Sequence, residues 1–405
     1  MSIPQKSRQY LLPAGREGYK SLTITEAEVP KLKANDVLVK VHAASLQYRD
    51  LAIANEFYGG LNGREIVPGS DMSGEVIAVG QDVTDRKAGD RVCANFSPAH
   101  LYGDPTAATM DAALGAVAPG VLTEYRSFPS ESLVRIPAHF SYQQASTLPC
   151  AAFTAYNALN GRGNPIKAGD TVLVLGTGGV SIWALQLAVT SGATVITTSS
   201  SDEKLKIAEK TEKLGAKHLI NYRNTPDWEE EVLKITNGVG VDHVVEVGGQ
   251  GTMYKSIKSV RFGGGVYVIG ILTHGDIPQD IFRLILDRAA EVRGILIGSV
   301  AQFKDMVKPI EVSPEKTTPV IDKVFAFEDG VAAFAHLESQ HQEKARRVRS
   351  VGTVMGTAIR GANTATVGHG SKWFATVPRL CSRSTRPRPA SDRSFHHTAP
   401  SSLRL

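Results

Sequence analysis

The spacing of apolar and polar residues changes character near Pro149. Before it lie short runs with strand-like alternation, "DVLVKVHAA", "GEVIAVG", "GDRVCANF" and "SLVRIP", separated by glycine, proline and charged turns. No long helical pattern interrupts them before about Tyr142, so residues 1–150 are expected to form a β-rich domain. After Pro149 continuous apolar runs alternate with helix-length segments. "TVLVLG" leads into a helix over Val180–Ser191, "ATVITTS" into one over Asp202–Leu214, and "KHLINY" into "DWEEEVLKIT". "VDHVVEVGG" leads into a helix near Thr252–Val260, and "GVYVIGIL" into one over Pro278–Ala290 and then "VRGILIG". Unbroken apolar strands between helices predict a parallel sheet covered on both faces, here over residues 151–300. Ser200 with Glu203 is expected to cap the Asp202 helix, and Gly215 to end it. Residues 301–340 return to a strand and a helix in "TPVIDKVFAFEDGVAAFAHLES".

Composition narrows this picture. A chain of 405 residues with 42% hydrophobic and 21% charged residues is long enough for two well-buried cores. Cys93, Cys150 and Cys381 are far apart, which argues against a disulfide framework and fits a reducing, cytoplasmic compartment. No apolar run is long enough to span a membrane, and "MSIPQKSRQYLLPAG" lacks a signal-peptide core. The net charge of +5 is unevenly placed: residues 341–405 hold 12 basic and 2 acidic residues, the first 340 hold 33 and 38. The body is mildly acidic, which excludes a distributed nucleic-acid-binding face. The basic Ser/Arg/Pro/Thr-rich tail predicts disorder.

The chemistry is expected at "VLVLGTGGVS". Gly176 permits a tight turn, Gly178 lets backbone approach a pyrophosphate, and Gly179 and Val180 open a helix with free N–H groups. Ser181 stands where the G-x-G-x-x-G pattern has its third glycine, and a small serine can pack there. At the end of the next strand, where NAD-binding units place a carboxylate, stands Ser199. Ser199, Ser200 and Lys204 suit a phosphate, so NADP(H) is expected over NAD(H).

Several dispersed stretches carry a resemblance: "VPGSDMSGEVIAVG", "AGDRV", "LPCAAFTAYNAL", "GTGGVS", "LGAKHLINY" and "VDHVVEVGG". From about Val37 to Ser339 the chain resembles the medium-chain dehydrogenase/reductase superfamily, in particular its zinc-free quinone oxidoreductase-type and alcohol dehydrogenase-like members. The resemblance implies an α/β fold: a β-rich GroES-like N-terminal domain followed by a Rossmann doubly wound parallel sheet. It implies an NADP-dependent oxidoreductase acting on a small-molecule carbonyl, quinone or activated C=C. Its partners would be that substrate and at most a second copy in a homodimer, with no nucleic acid and no membrane. Reversible alcohol oxidation and a catalytically silent NADPH-binding protein are the alternatives.

The resemblance also implies site residues. Zinc alcohol dehydrogenases hold their catalytic metal at positions occupied here by Gln47, Ser70 and Cys150, and one thiol, one amide and one hydroxyl make a poor zinc set. Their structural-zinc loop falls between Cys93 and Thr123, with Cys93 its one cysteine. No metal is expected. Gln47 or Tyr48 would then polarise the substrate, with Asp50 orienting the loop. Thr154 matches a nicotinamide contact, as do Val247, Ile269 and Gly270 at strand ends. Gly176, Gly178, Gly179 and Val180 match the pyrophosphate turn, and Ser199, Ser200, Lys204 and Tyr222 the 2′-phosphate region. The strand that closes the first domain in relatives is expected to be lost, Arg347–Val351 offering at best a poor substitute.

Overall fold

The structure, a computed structural model, describes residues 3–58, 61, 63–209, 214–273, 276, 278–342, 353–356 and 375–376. In its second half every neighbouring strand pair runs parallel. The spatial order is His218–Asn221, Thr194–Ser199, Thr171–Leu175, Val241–Glu246, Val260–Val268, Glu291–Gly294. The chain enters at the centre, winds to one edge, returns, and winds to the other. The order reverses between Thr171–Leu175 and Val241–Glu246, and the crevice outside the carboxyl ends of the strands at such a point is the usual ligand position in these sheets.

The unbroken apolar runs follow from burial on both faces. Val172 and Val174 pack with Trp183, Leu187 and Phe303 on one side. Leu173 and Leu175 pack with Trp228, Val232 and Ile257 on the other. Each face therefore takes every second residue, and both need apolar side chains.

The first half is antiparallel. Asp36–Leu46 pairs with Asp71–Val79, which pairs with Arg91–Ala94, which pairs with Leu133–Arg135. Tyr125–Pro129 also pairs with Asp36–Leu46, and Lys6–Leu11 forms a separate ribbon with Thr23–Glu28. The fold is thus the expected β-rich unit plus a doubly wound parallel sheet.

The return segment ties the halves together. The helix Val300–Val312, capped by Ser299, buries Phe303, Met306 and Ile310 against the cofactor side. The helix Gly330–Gln342 then buries Ala333, Phe334 and Leu337 beside Tyr10 and Tyr19 of the first core. The expected loss of the closing strand needs correction. Thr353–Gly356 runs parallel to Lys323–Phe325 and antiparallel to Ala43–Ser45, and Ala375–Thr376 pairs with Ser45 and Leu46. The closing strand comes from further along the chain than the Arg347–Val351 candidate, which, like most of the tail, lies outside the described residues.

Candidate functional site

The strand Thr171–Leu175 runs straight into the glycine turn. Gly176 has φ 75°, in the left-handed region that glycine occupies at least cost. Gly178 is extended (φ −78°, ψ 174°) and precedes the helix Gly179–Thr190, whose start carries neither a side-chain cap nor an acidic residue. Its first N–H groups and positive dipole end face the crevice, which suits a pyrophosphate. Val180 is half-buried in the first turn. Ser181 is buried, and its Oγ donates to the Leu175 carbonyl at 2.8 Å, fastening helix to strand.

At the end of Thr194–Ser199 the structure places Ser199, Ser200 and Tyr222 together, with one change from the expected helix cap. Ser199 is fully buried, and its Oγ accepts from the Ser201 N–H at 3.3 Å. Ser201 rather than Ser200 caps the next helix: its Oγ accepts from the Lys204 N–H at 3.4 Å and donates to Glu203 at 2.8 Å. A cap must directly precede the first helical residue, here Asp202, and Ser200 stands one place too early. Ser200 hydrogen-bonds the Tyr222 hydroxyl instead; burial pushes that hydroxyl up while the Ser200 bond opposes the shift. The Tyr222 N–H donates to the Ser199 carbonyl at 3.0 Å. Asp202, the nearest carboxylate on the helix start, accepts from Asn221 Nδ2 at 2.6 Å.

Across the crevice, Ile269 N donates to the Glu246 carbonyl at 2.8 Å. A Cβ on Gly270 would stand 2.4 Å from the Val247 carbonyl oxygen, so only glycine permits this approach. Glu246 was not foreseen. It is fully buried, and its Oε1 accepts from Gly248 N (2.6 Å), Gly249 N (2.9 Å) and Thr252 Oγ1 (2.7 Å), while Oε2 accepts from Ser256 Oγ. This carboxylate fixes the turn that carries Val247. Its signal was an acid ending an apolar run directly before Val-Gly-Gly. Thr154 is buried in the helix Phe153–Asn160, one turn beyond Cys150.

The first-half cluster lies where Gln47, Ser70 and Cys150 meet, and its centre is Asp71. Gln47 Nε2 donates to Asp71 Oδ2 at 2.9 Å and to Ser45 Oγ at 3.2 Å. The Cys150 N–H donates to the same Oδ2 at 2.9 Å, and Ser70 Oγ donates to Oδ1 at 2.6 Å. Asp50 accepts from the Gln47 N–H at 2.6 Å, closing a capping box on the helix Tyr48–Ala54. Burial pushes Asp50 up to about 6, against the Gln47 N–H and Arg49. Burial likewise pushes Asp71 well above the carboxylate range, with Asp50 adding to the shift and Ser70 opposing it. Cys150 is half-buried rather than wholly buried, and enclosure beside Asp71 and Asp50 pushes its thiol well up. Gln47 therefore spends its amide N–H groups within the protein, and Tyr48 stands half-buried at the helix start. Asp71 was legible in "GSDMSG", directly after Ser70, yet reasoning by metal position passed over it. Among the described residues no group of three or more His, Cys, Asp or Glu could hold a metal ion, and no helix is long and apolar enough to cross a membrane.

A doubly wound parallel sheet with an open glycine turn, joined to an antiparallel β unit that meets it at Cys150, is the fold of a nicotinamide-dependent dehydrogenase. Residues 33–138 match the alcohol dehydrogenase GroES-like domain and residues 179–311 the zinc-binding dehydrogenase family. A zinc-type alcohol dehydrogenase-like protein of Schizosaccharomyces pombe is 44% identical over 337 residues, covering 82% of this chain and 96% of its own. The acryloyl-coenzyme A reductase of Metallosphaera sedula is 28% identical, covering 81% and 95%. A solved structure from Sinorhizobium meliloti 1021, assigned as an alcohol dehydrogenase, superposes with a TM-score of 0.74 at 36% identity, covering 84% and 97%. The chain belongs to the medium-chain dehydrogenase/reductase superfamily of oxidoreductases.

Proposed function

We propose that this chain is an NADPH-dependent, zinc-independent oxidoreductase that moves a hydride to or from a carbonyl, a quinone or an activated C=C. The observation that carries the cofactor choice is the strand end at Ser199. Position 199 carries a serine and not a carboxylate that would repel a 2′-phosphate, Ser200 and Tyr222 meet beside it, and Lys204 follows in the first turn of the next helix. Gly176, Gly178, Gly179 and Val180 would hold the pyrophosphate, and Thr154, Val247, Ile269 and Gly270 the nicotinamide end. The bound nicotinamide supplies the hydride; the protein's part is to orient it and exclude water. Tyr48 polarises the acceptor, and Asp50 holds the Gln47–Tyr48 turn.

The residues at the metal position do not fit zinc. Gln47 and Ser70 are neutral and spend donor groups on Asp71, which leaves Cys150 Sγ as one thiol at a position where zinc takes about three sulfur, nitrogen or carboxylate ligands. The Metallosphaera relative, named as a reductase of acryloyl-coenzyme A, favours the activated C=C among the three acceptors. The Schizosaccharomyces relative's name favours alcohol oxidation as the second reading.

The test is a titration of NADPH and NADH against the parent and Ser199→Asp, with metal analysis and a carbonyl, quinone and enone panel. Charge-assisted bonds to a phosphate contribute about 1.5–3 kcal/mol each, so NADPH should bind about tenfold or more tighter. Ser199→Asp should weaken NADPH more than NADH. Equal binding of the two cofactors by the parent removes the NADP assignment. Stoichiometric zinc lost together with activity removes the zinc-free one. Tight NADPH binding with no turnover across the panel identifies a silent binding protein.

A further inference from the structure

We infer that Asp71 is a positioning residue: it latches the turn that leads into the cofactor side onto the first-half sheet, and so sets where the nicotinamide end meets its substrate. The inference rests on the proposed function only for its catalytic consequence.

Two separate segments converge on this one side chain, and its own neighbour Ser70 adds a third donor. Ser70 immediately precedes the strand Asp71–Val79, Gln47 precedes the helix Tyr48–Ala54, and Cys150 lies in the π-helical turn Leu148–Ala152. Each donates a hydrogen bond to Asp71, and the side chain is fully buried. Two of the donors converge on Oδ2, both at 2.9 Å, and neither N–H can be turned into an acceptor. Removing Asp71 would leave the Gln47 amide and the Cys150 N–H buried without their acceptor.

The Cys150 bond matters most for function. The π-helical turn runs without a break into Phe153–Asn160, the helix that carries Thr154. Other side-chain bonds hold the approach to this turn to the first-half sheet: Arg91 donates to the Ala138 and Phe140 carbonyls, Ser73 Oγ to the Tyr142 carbonyl, and Cys93 Sγ to the Ala145 carbonyl at 3.2 Å. All of these lie before the turn, whereas Asp71 grips the turn itself. A metal bridging positions 47, 70 and 150 would cross-link the same three segments through acceptors. Asp71 does it through donors, with the polarity reversed.

Two variants separate this role from bulk stability. Asp71→Asn can still accept from Gln47 and Cys150 through its carbonyl oxygen while its amide donates to Ser70, so it should recover most of what Asp71→Ala loses. In Asp71→Ala, amide exchange across residues 148–154 should rise about tenfold or more, with exchange across Thr171–Leu175 unchanged. Asp71→Asn should restore protection. With an accepted substrate, kcat per folded Asp71→Ala molecule should fall about tenfold to a hundredfold, since misplacement of about 1 Å costs that much. The Kd for NADPH should change less than about threefold, because the glycine turn is untouched. Unaltered exchange in Asp71→Ala overturns the latch, and so does unaltered kcat per folded molecule. Absence of NADPH binding by the parent instead defeats the functional reading, while the exchange measurement still decides the latch.

Discussion

The two halves of the site are built by different means. At the glycine turn the groups are backbone: the turn at Gly176–Gly179, the uncapped helix start, and, opposite it, the close approach of Gly270 to the Val247 carbonyl, with side chains entering only at the next strand end, at Ser199, Ser200 and Tyr222. On the first-half side two buried side chains, Gln47 and Ser70, and the Cys150 backbone N–H meet at the Asp71 carboxylate. A backbone site asks only that side chains stay out of the way, which is why Ser181 can stand where a glycine is usual. A side-chain cluster must be balanced donor by donor, because a buried polar group without a partner costs about 1–3 kcal/mol. The change at positions 47 and 70 is therefore coherent only together with Asp71.

The largest effect should come from placing charge at the backbone site. Gly178 occupies the N-cap of Gly179–Thr190, where aspartate is a favoured residue, so Gly178→Asp should fold as well as the parent. Its carboxylate would face the pyrophosphate. Two like charges about 4 Å apart interact by about 4 kcal/mol at an effective dielectric of about 20, so NADPH affinity should fall about a hundredfold or more. Fluorescence titration with a thermal melt checks both halves of the claim. Unchanged affinity would mean that the cofactor does not lie over this turn.

This contrast also explains what the sequence revealed. The glycine turn and the doubly wound parallel sheet were legible because each rests on residue type at a fixed place: glycine before a helix, and apolar runs between helices. Asp71 and Glu246 were not, because their roles depend on which distant N–H and O–H groups the fold brings to them. Neither the Cys150 N–H that meets Asp71 nor the Ser256 hydroxyl that meets Glu246 has a sequence signature. The Ser200 cap missed by one place because three consecutive serines offer the same hydroxyl, and only backbone geometry selects Ser201. The closing strand at Thr353–Gly356 was missed because its pairing with Ala43–Ser45 is set by the sheet it completes.

A smaller effect tests whether side-chain networks inside the cofactor half serve stability and not binding. His243 is fully buried at the sheet end remote from the crevice. Its Nε2 faces Asp170 at 3.1 Å and its Nδ1 the Tyr267 hydroxyl at 2.9 Å. Those partners fix the neutral tautomer with the proton on Nε2, and burial holds the imidazole below its ordinary value despite Asp170. Below about pH 6.5 the unfolded chain binds a proton here that the folded chain refuses, so stability falls as pH falls. One unmatched proton gives a slope of up to about 1.4 kcal/mol per pH unit. Denaturant melts of His243→Gln from pH 7.5 to 5.5 should show a flatter pH dependence than the parent. NADPH affinity at pH 7.5 should be unchanged, and an altered affinity would break the division between binding backbone and stabilising side chains.

The smallest effect belongs to Ser181, and it bears most directly on that division. If the turn recognises through backbone, restoring the usual glycine should gain nothing. Ser181→Gly would lose the 2.8 Å bond from Oγ to the Leu175 carbonyl, worth about 0.5–1.5 kcal/mol. It would also add the backbone entropy of a helical glycine, about 0.5–1 kcal/mol relative to alanine. Ser181→Ala loses the bond alone. Both variants should therefore melt lower than the parent, glycine lower than alanine, while NADPH affinity stays within about twofold because no atom of Ser181 is asked to touch the cofactor. Paired melts and titrations of the two variants decide it. Tighter NADPH binding by Ser181→Gly would show that the serine side chain holds the helix start away from the pyrophosphate, and that this turn is a compromise between packing and binding.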